Sequence, residues 1–586
     1  MNELHPLTQA IIAGKRKEVA DLVNQCLAAG ETAGAIVEHR LVPGMAIVGE
    51  KFKRNEIFVP EMLIAARAMK EALKILEPAL VAAGVKPEHN AVIGTVEGDL
   101  HDIGKNLVAM MWKGANIEVI DLGVMISSEK ILAAAKELGV DVIGLSGLIT
   151  PSLDEMVHVA KEMQREGFKL PLLIGGATTS KAHTAVKIAQ HYENAVVHVL
   201  DASRAVGVVS ALLSPAQRHE FVAANNLEHE RARFAHERKR PTKPLLSLAE
   251  SRKRAFRSEW STVDVPKPSF LGLKVIDDLP LREIVEFIDW SPFFHAWEIR
   301  GRYPALLDDP ETGPRCRELF NDAQALLENL LSKKRLHGKA AYGFFPAARV
   351  GDDIELFTDD TRSQVLTTFH TLRQQMDKPE DQSNYALADF IAPAETGRRD
   401  YLGVFALTTG LGVEEIAREF EQDHDDYNSI MTKALADRLA EASAEWLHLQ
   451  ARIAWGFGQD EHLSNEDLIK EKYRGIRPAP GYPACPDHTE KRLLFDLLQA
   501  EKNAEVRLTE NFAMHPASSV SGLYFAHPEA KYFGVGLIGR DQIEDYARRK
   551  GLDIPTVEKW LAPNLSYDPD KIAPAPNACG CGTPHA

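Results

Sequence analysis

Three textures along the chain predict a multidomain protein: a helical bundle, a doubly wound α/β unit, and a mixed α+β region. Apolar residues recur at helix spacing from Pro6 to about Gly84. From about Pro87 to Leu213, five short apolar runs alternate with amphipathic segments. From about Ser247 onward the pattern is irregular, and a charged stretch separates it from what precedes.

Bulk composition agrees. A chain of 586 residues has room for three or four domains, and 45% hydrophobic with 26% charged residues is the make-up of a soluble globular protein. Acidic residues outnumber basic ones, 84 to 68, and the net charge of −16 argues against nucleic acid as a partner. No apolar run reaches the length of a membrane span, and Met1-Asn2-Glu3-Leu4-His5-Pro6 lacks signal-peptide character, so no membrane association is expected. Five scattered cysteines form no disulfide framework, which points to a reduced, cytoplasmic protein.

In the first region Leu7, Ile11 and Ile12, then Val19, Leu22 and Val23, keep helical spacing. Met62, Ala65, Ala66, Met69, Leu73 and Leu76 do so again after Pro60. Four helices are expected, interrupted by a segment rich in Phe52, Ile57, Phe58 and Val59. In the second region strands are expected at Ala91–Thr95, Ile117–Leu122, Val140–Leu145, Leu170–Ile174 and Ala195–Leu200. Helices are expected at Ser128–Leu138, Leu153–Gln164 and Lys181–His191, giving a parallel sheet in flavodoxin-like order. The charged stretch 214–244, with Arg231, Arg233, Arg238, Lys239, Arg240 and Lys243, reads as a solvated linker or as a docking surface for an acidic protein. In the third region a long helix is expected from Val413 through Trp446, followed by strands at Val520–Tyr524 and Tyr532–Leu537.

The second region carries the most chemistry. Val96 to Asn106 reads VEGDLHDIGKN and joins the first strand to a helix, at the edge where open α/β sheets place ligands. Asp99, two residues from His101, can take the proton of one ring nitrogen and leave the other free for a metal. Gly104 lets something bulky lie against the backbone. Ser146-Gly147-Leu148, with Thr150 and Ser152, ends the third strand, and Gly175-Gly176 ends the fourth. Small residues on neighbouring loops leave a slot between sheet and helices, while Gly175-Gly176 taken alone also suits a tight turn. In the third region 473–486 reads YRGIRPAPGYPACP. Its prolines and glycines make a stiff loop, either a structural turn or one whose free backbone groups meet an adenine or amino-acid moiety.

Taken together, Asp99-x-His101-x-x-Gly104, Ser146-x-Leu148 and Gly175-Gly176 resemble the signatures of the cobalamin-binding domain of methionine synthases and cobalamin mutases. Arg477-x-x-x-Gly481-Tyr482, with Cys485 to Lys491 beside it, resembles the S-adenosylmethionine signature of the methionine synthase reactivation domain. The resemblance runs to about Asp568. It implies a helical cap over residues 1–86, a cobalamin domain over 87–228, a linker over 229–246, a C-shaped reactivation domain over 247–568 and a tail over 569–586.

The resemblance also assigns residues. His101 would ligate cobalt from below, and Asp99 with Ser152 would relay a proton to its imidazole. Gly98, Leu100, Asp102, Gly104, Ser146, Leu148, Thr150, Gly175, Gly176 and Ala202 would line the corrin and its buried nucleotide tail. Phe52, Val59 (where leucine is more familiar) and Glu38 would cover the upper corrin face. Arg477 would clamp the carboxylate of S-adenosylmethionine. Asp289 would meet the ligand's amino group, and Ala479, Gly481, Tyr482, Tyr532 and Phe533 would complete the site. Phe533 stands where relatives have a second tyrosine. Asp437 and Glu441 would face either His101 or the ligand.

The implied activity is a methyltransferase portion that carries a methyl group on the cobalt of cobalamin (methylcobalamin) between methyltetrahydrofolate and homocysteine. S-adenosylmethionine and one electron from flavodoxin or a similar reductase would remethylate the oxidised cofactor. Homocysteine- and folate-binding modules are expected on a longer enzyme or on separate chains, and the portion itself as a monomer. A cobalamin-dependent sensor would need a DNA-binding module, which the acidic chain and the Arg477 loop speak against. A corrinoid methyl carrier would end near Leu213. A receiver-like signalling domain shares the topology but not the slot. In the tail, Cys579, Cys581 and His585 suit either a soft metal or a disordered end.

Overall fold

The computed structural model describes residues 4–569 except 55, 83–88, 116, 239–243, 311 and 424; the tail cysteines and His585 lie outside the described residues. Five helices build the first region: α1 (Pro6–Ile12), α2 (Arg16–Ala28), α3 (Ala33–Ile36), α4 (Val42–Lys53) and α5 (Val59–Ala82). A π-helical turn, Val37–Leu41, joins α3 to α4. The apolar positions expected to face inward do so, with Leu7, Ile11, Val19, Val23 and Leu76 sealed from solvent. The count exceeds the expected four because the short α3, capped by Thr32, is too brief to leave a periodic signal.

The second region holds β1 (His89–Thr95), α6 (Ile103–Gly114), β2 (Ile117–Asp121), α7 (Ser128–Glu137), β3 (Val142–Ser146), α8 (Ser152–Arg165), β4 (Leu172–Gly175), α9 (Lys181–His183), β5 (Val196–His198) and α10 (Ala202–Leu213). All five strands are parallel in the order β2-β1-β3-β4-β5, so the chain crosses between β2 and β3 and the loops after β1 and β3 diverge. Helices cover both faces, and β1 and β3 are accordingly continuous apolar runs. In α8, Leu153, Met156, Val159, Ala160 and Met163 form the buried stripe. The helix expected over Lys181–His191 is one turn of α9, then a π-helical and a 3-10 segment.

A helix, α11 (Arg218–Arg238), follows where a solvated linker was expected. It packs on α9 and on the π-helical segment, buries His229, and Arg233 donates to the Ala185 carbonyl. Its charges occupy the outer face, which is why composition alone read it as a linker.

The third region is organised by an antiparallel sheet of β7 (His337–Val350), β8 (Asp353–Phe357), β9 (Val365–His370), β10 (Asp400–Leu411) and β13 (Ser519–Tyr524), with β6 (Gly272–Ile276) also paired to β7. A ribbon of β11 (Arg507–Leu508) and β12 (Met514–His515) precedes β13. Helices α12 (Leu248–Lys253), α13 (Leu281–Ile284), α14 (Ser291–Ala296) and α15 (Gly313–Ser332) lead into the expected long helix, which is two: α16 (Val413–Gln422) and α17 (Asp426–Trp455). The break falls where Asp425 leaves the helix and caps α17 by accepting from the Asn428 amide. Tyr532–Leu537 is not a strand; its backbone is tied to a loop instead, the Val535 amide donating to the Pro483 carbonyl. Among the described residues no helix is long and apolar enough to cross a membrane.

Candidate functional site

His101 stands in the loop between β1 and α6, at the carboxyl edge of the sheet. Its Nδ1 lies 2.8 Å from Asp99 Oδ1, which also accepts the His101 amide. The other carboxylate oxygen accepts the amides of Leu148 and Ile149, at 2.6 and 3.1 Å, from the loop after β3. Burial alone would raise the Asp99 carboxyl, but His101 and the Leu148 and His101 amides outweigh it and hold its pKa at about 2. An ionised Asp99 therefore fixes the proton on Nδ1 and leaves the Nε2 lone pair pointing away, with a third of the side chain exposed. The expected relay through Ser152 differs in detail. Its hydroxyl donates to the Ile149 carbonyl, 2.6 Å, and supports the loop whose amides hold Asp99.

Beside this edge, backbone packs directly against backbone. Gly176 has φ +122, and a Cβ there would overlap the Gly147 carbonyl, so the loops after β3 and β4 touch only because neither carries a side chain. Leu148 and Gly104 are exposed on the rim, and Ala202 is buried at the start of α10, which Asp201 caps. An imidazole nitrogen free to ligate, in a fixed tautomer and beside loops of small residues, matches the donor chemistry of a cobalt corrin.

What faces His101 is α17. Lys433 pairs with Asp102, and Asp437 lies near both His101 and Asp102 while accepting from the Ser518 hydroxyl at 2.6 Å. Burial is the largest influence on Asp437 and raises its pKa. From the ribbon, Thr509 and Asn511 donate to the Gly98 and Glu97 carbonyls. Phe52 and Val59, expected above the corrin, lie elsewhere. They line a cavity of about 1550 Å³ together with Gly207 and Ala211 of α10, Phe221, His295 and Arg300. The helical region rests against α6 and α10 and is tied to the third region by Arg67–Asp425 (2.8 Å), Lys70–Asp426 (3.1 Å) and Glu61–Arg315. Its α4 packs on α10, and the cavity lies between them and Phe221 of α11. Glu38 is exposed on the π-helical turn.

Further along α17, Glu445 pairs with Arg477 at 2.7 Å. The Arg477 guanidinium also meets the Tyr473 hydroxyl at 2.6 Å and His448 Nδ1 at 3.3 Å, and its amide donates to Tyr532. Burial works against its charge, but Glu445 and the two tyrosines hold its pKa above the usual value. One oxygen of Glu445 and the Tyr524 hydroxyl are buried without partners beside it, polar capacity that a zwitterionic ligand could use. Gly481 has φ +95, and its α-carbon faces the His488 ring with no room for a side chain. Tyr482 is exposed above Glu441 and Arg438, and the Tyr482 amide donates to the Ala479 carbonyl. Asp289 accepts from the Ser291 amide at the start of α14. Phe533 is partly buried, and its ring packs against Tyr385 and Phe390 behind the loop.

Sequence reasoning missed Glu445, His448 and Tyr473 as the surroundings of Arg477. The signal was present: Asp437, Glu441 and Glu445 recur every fourth residue and so share one stripe of a helix. The Leu148 and Ile149 amides left no trace in residue type.

A ligand-ready histidine at a switch-point edge, faced by a helix from an α+β module, defines a class of corrin-binding proteins with an accessory domain. Known proteins agree. Residues 280–551 match the family model described as vitamin B12 dependent methionine synthase, activation domain; 89–200 and 3–77 each match a model described as B12 binding domain. Among solved structures, the MetH reactivation domain bound to AdoHcy is 50% identical, covering 56% of this chain and all of that one, at a TM-score of 0.54. The methanol:cobalamin methyltransferase complex MtaBC of Methanosarcina barkeri is 24% identical over 37% of this chain and 83% of that one, at 0.34. A cobalamin-binding protein of Desulfitobacterium hafniense DCB-2 is 27% identical over 36% of this chain and all of that one, at 0.30. The chain belongs to the cobalamin-dependent methionine synthase family and carries its B12-binding and activation domains.

Proposed function

We propose that this chain holds cobalamin at the His101 edge and S-adenosylmethionine at the Arg477 loop, and uses the second to restore a methyl group to the first. Bound cobalamin supplies a cobalt centre that accepts and gives up methyl groups. His101 would offer Nε2 to the cobalt, and Asp99 keeps the imidazole in the tautomer that permits it. The nucleotide tail would lie beside the glycine-lined contact between the loops after β3 and β4. Arg477 exchanges Glu445 for the ligand carboxylate, Asp289 meets its amino group, and Ala479, Tyr482 and Tyr532 border the adenine side.

The reading is carried by one observation: α17 presents Asp437 to the His101 edge and Glu445 to Arg477. Eight residues of helix separate the two, about 12 Å. In this arrangement the helical region, which family resemblance makes a cap, has left the edge to the activation domain. Methyl carriage between methyltetrahydrofolate and homocysteine then requires substrate modules and the opposite arrangement, and the single electron comes from a protein reductase.

Visible spectra of cobalamin-loaded protein test this. Reductant with S-adenosylmethionine should produce the methylated spectrum, and His101→Gly should lose the imidazole-bound signature while retaining corrin. An unchanged spectrum in that variant would remove His101 from the site. A plain methyl carrier would show no response to S-adenosylmethionine.

A further inference from the structure

In the helical region, between the start of α1 and the end of α2, His5, Cys26 and Glu31 bring one ligand atom each to within 4.8 Å of one another. We propose that this trio binds a zinc ion, fastening the start of α1 to the end of α2. The backbone brings the three residues together. His5 is the N-cap residue of α1, followed by Pro6 at the first helical position. Gly30, at φ +89, turns the chain back at the end of α2, so that the Glu31 amide donates to the Cys26 carbonyl at 3.1 Å and the carboxylate returns beside the thiol.

Imidazole, thiolate and carboxylate are the mixed nitrogen, sulfur and oxygen donors that zinc accepts, and with a dication their charges sum to zero. Three protein ligands leave a fourth position for water, and His5 and Glu31 are only partly buried, so an ion can reach the site. An unligated cysteine carries its proton at neutral pH. Zinc binding forms the metal–sulfur bond, breaks the S–H bond and releases one proton to solvent. Two existing contacts compete. Arg40 pairs with Glu31 at 3.4 Å, and His5 Nδ1 accepts the Leu7 amide at 3.2 Å, an interaction that ligation through either ring nitrogen gives up.

The tail residues Cys579, Cys581 and His585 are rival zinc ligands, so the test uses the full chain carrying Cys579→Ser and Cys581→Ser. Zinc is titrated against a chromophoric chelator, and cadmium NMR reports a thiolate ligand. One ion per chain is expected, with a cadmium resonance in the thiolate range. Affinity should fall at least about tenfold in Cys26→Ser and in His5→Ala, and the thiolate resonance should vanish in Cys26→Ser. His5→Ala leaves the buried thiol in place and keeps the test decisive if Cys26→Ser fails to fold. Zinc binding that is absent in the tail-serine chain, or equally tight in the variants, overturns the proposal.

Discussion

The two ligand regions each place a carboxylate against a nitrogen-bearing side chain, with opposite consequences. At the sheet edge, Asp99 is held by the Leu148 and Ile149 amides and touches only Nδ1, so it orients His101 and leaves Nε2 free. At the loop, Glu445 takes the guanidinium of Arg477 itself, the group proposed to receive the ligand. An acid behind a ligating atom prepares it, whereas an acid in front of a binding group must be displaced. The first arrangement requires a separate anchor for the acid, and two backbone amides provide it.

The largest disruption should come at the sheet edge. Gly176→Ala forces a Cβ into the Gly147 carbonyl at a left-handed backbone position and should weaken corrin retention by about 3 kcal/mol, over a hundredfold. Equilibrium dialysis measures it, and unaltered retention would mean the slot does not depend on this contact.

At the loop, Arg477→Met should reduce S-adenosylmethionine affinity by about a hundredfold, roughly 3 kcal/mol. Glu445→Gln sharpens the contrast. If that acid competes, calorimetry should give tighter binding, by up to about tenfold or 1.4 kcal/mol. Weaker binding would make Glu445 an orienting acid like Asp99.

Acid should separate the regions. Burial lowers the His488 pKa to about 3, and His448 and His527 shift the same way. The unfolded chain binds protons below about 6.5 and the folded one does not, so His488 stability falls as pH drops through that value, by about 2 kcal/mol at pH 5. Asp400, pushed up to about 7 by burial, and Asp437, Glu471 and Glu490, raised by burial as well, act in the opposite sense, so the histidine share is isolated by comparison with a His488 variant. Asp99 is depressed, so its contribution persists above about 4 and fades only as pH falls toward 2. Hydrogen exchange around the His488 loop should therefore quicken at pH 5, before acid reaches Asp99. His488→Gln should shallow the slope.

The smallest effect belongs to the contacts joining the helical region to the activation domain. Lys70→Glu should reduce their association by about 0.5 kcal/mol, Asp426→Lys in the same chain should restore it, and salt should mimic the single change. Small-angle scattering follows the arrangement. An unaltered profile would leave packing alone in charge.

The five-stranded parallel sheet and the residues of the His101 edge were legible because both write local patterns: continuous apolar runs at strand length, and a histidine, an acid and glycines at fixed loop spacing. The Arg477 loop was legible for its prolines and glycines. The packing of Phe533 on Tyr385 and Phe390 was not legible, because an aromatic in a loop keeps the same spacing whatever distant residues it meets. The helix break at Asp425 and the helix over Arg218–Arg238 were hidden because charged residues support helix, cap and linker alike.

Sequence by itself determined the order of the modules, the sheet, and which side chains can ligate, since these follow from local periodicity and residue chemistry. Only the tertiary structure decided what each site faces: α17 over His101, Glu445 on Arg477, and Phe52 and Val59 turned toward α10. Those choices come from long-range competition for the same apolar and charged surfaces, and no short stretch of chain records its outcome.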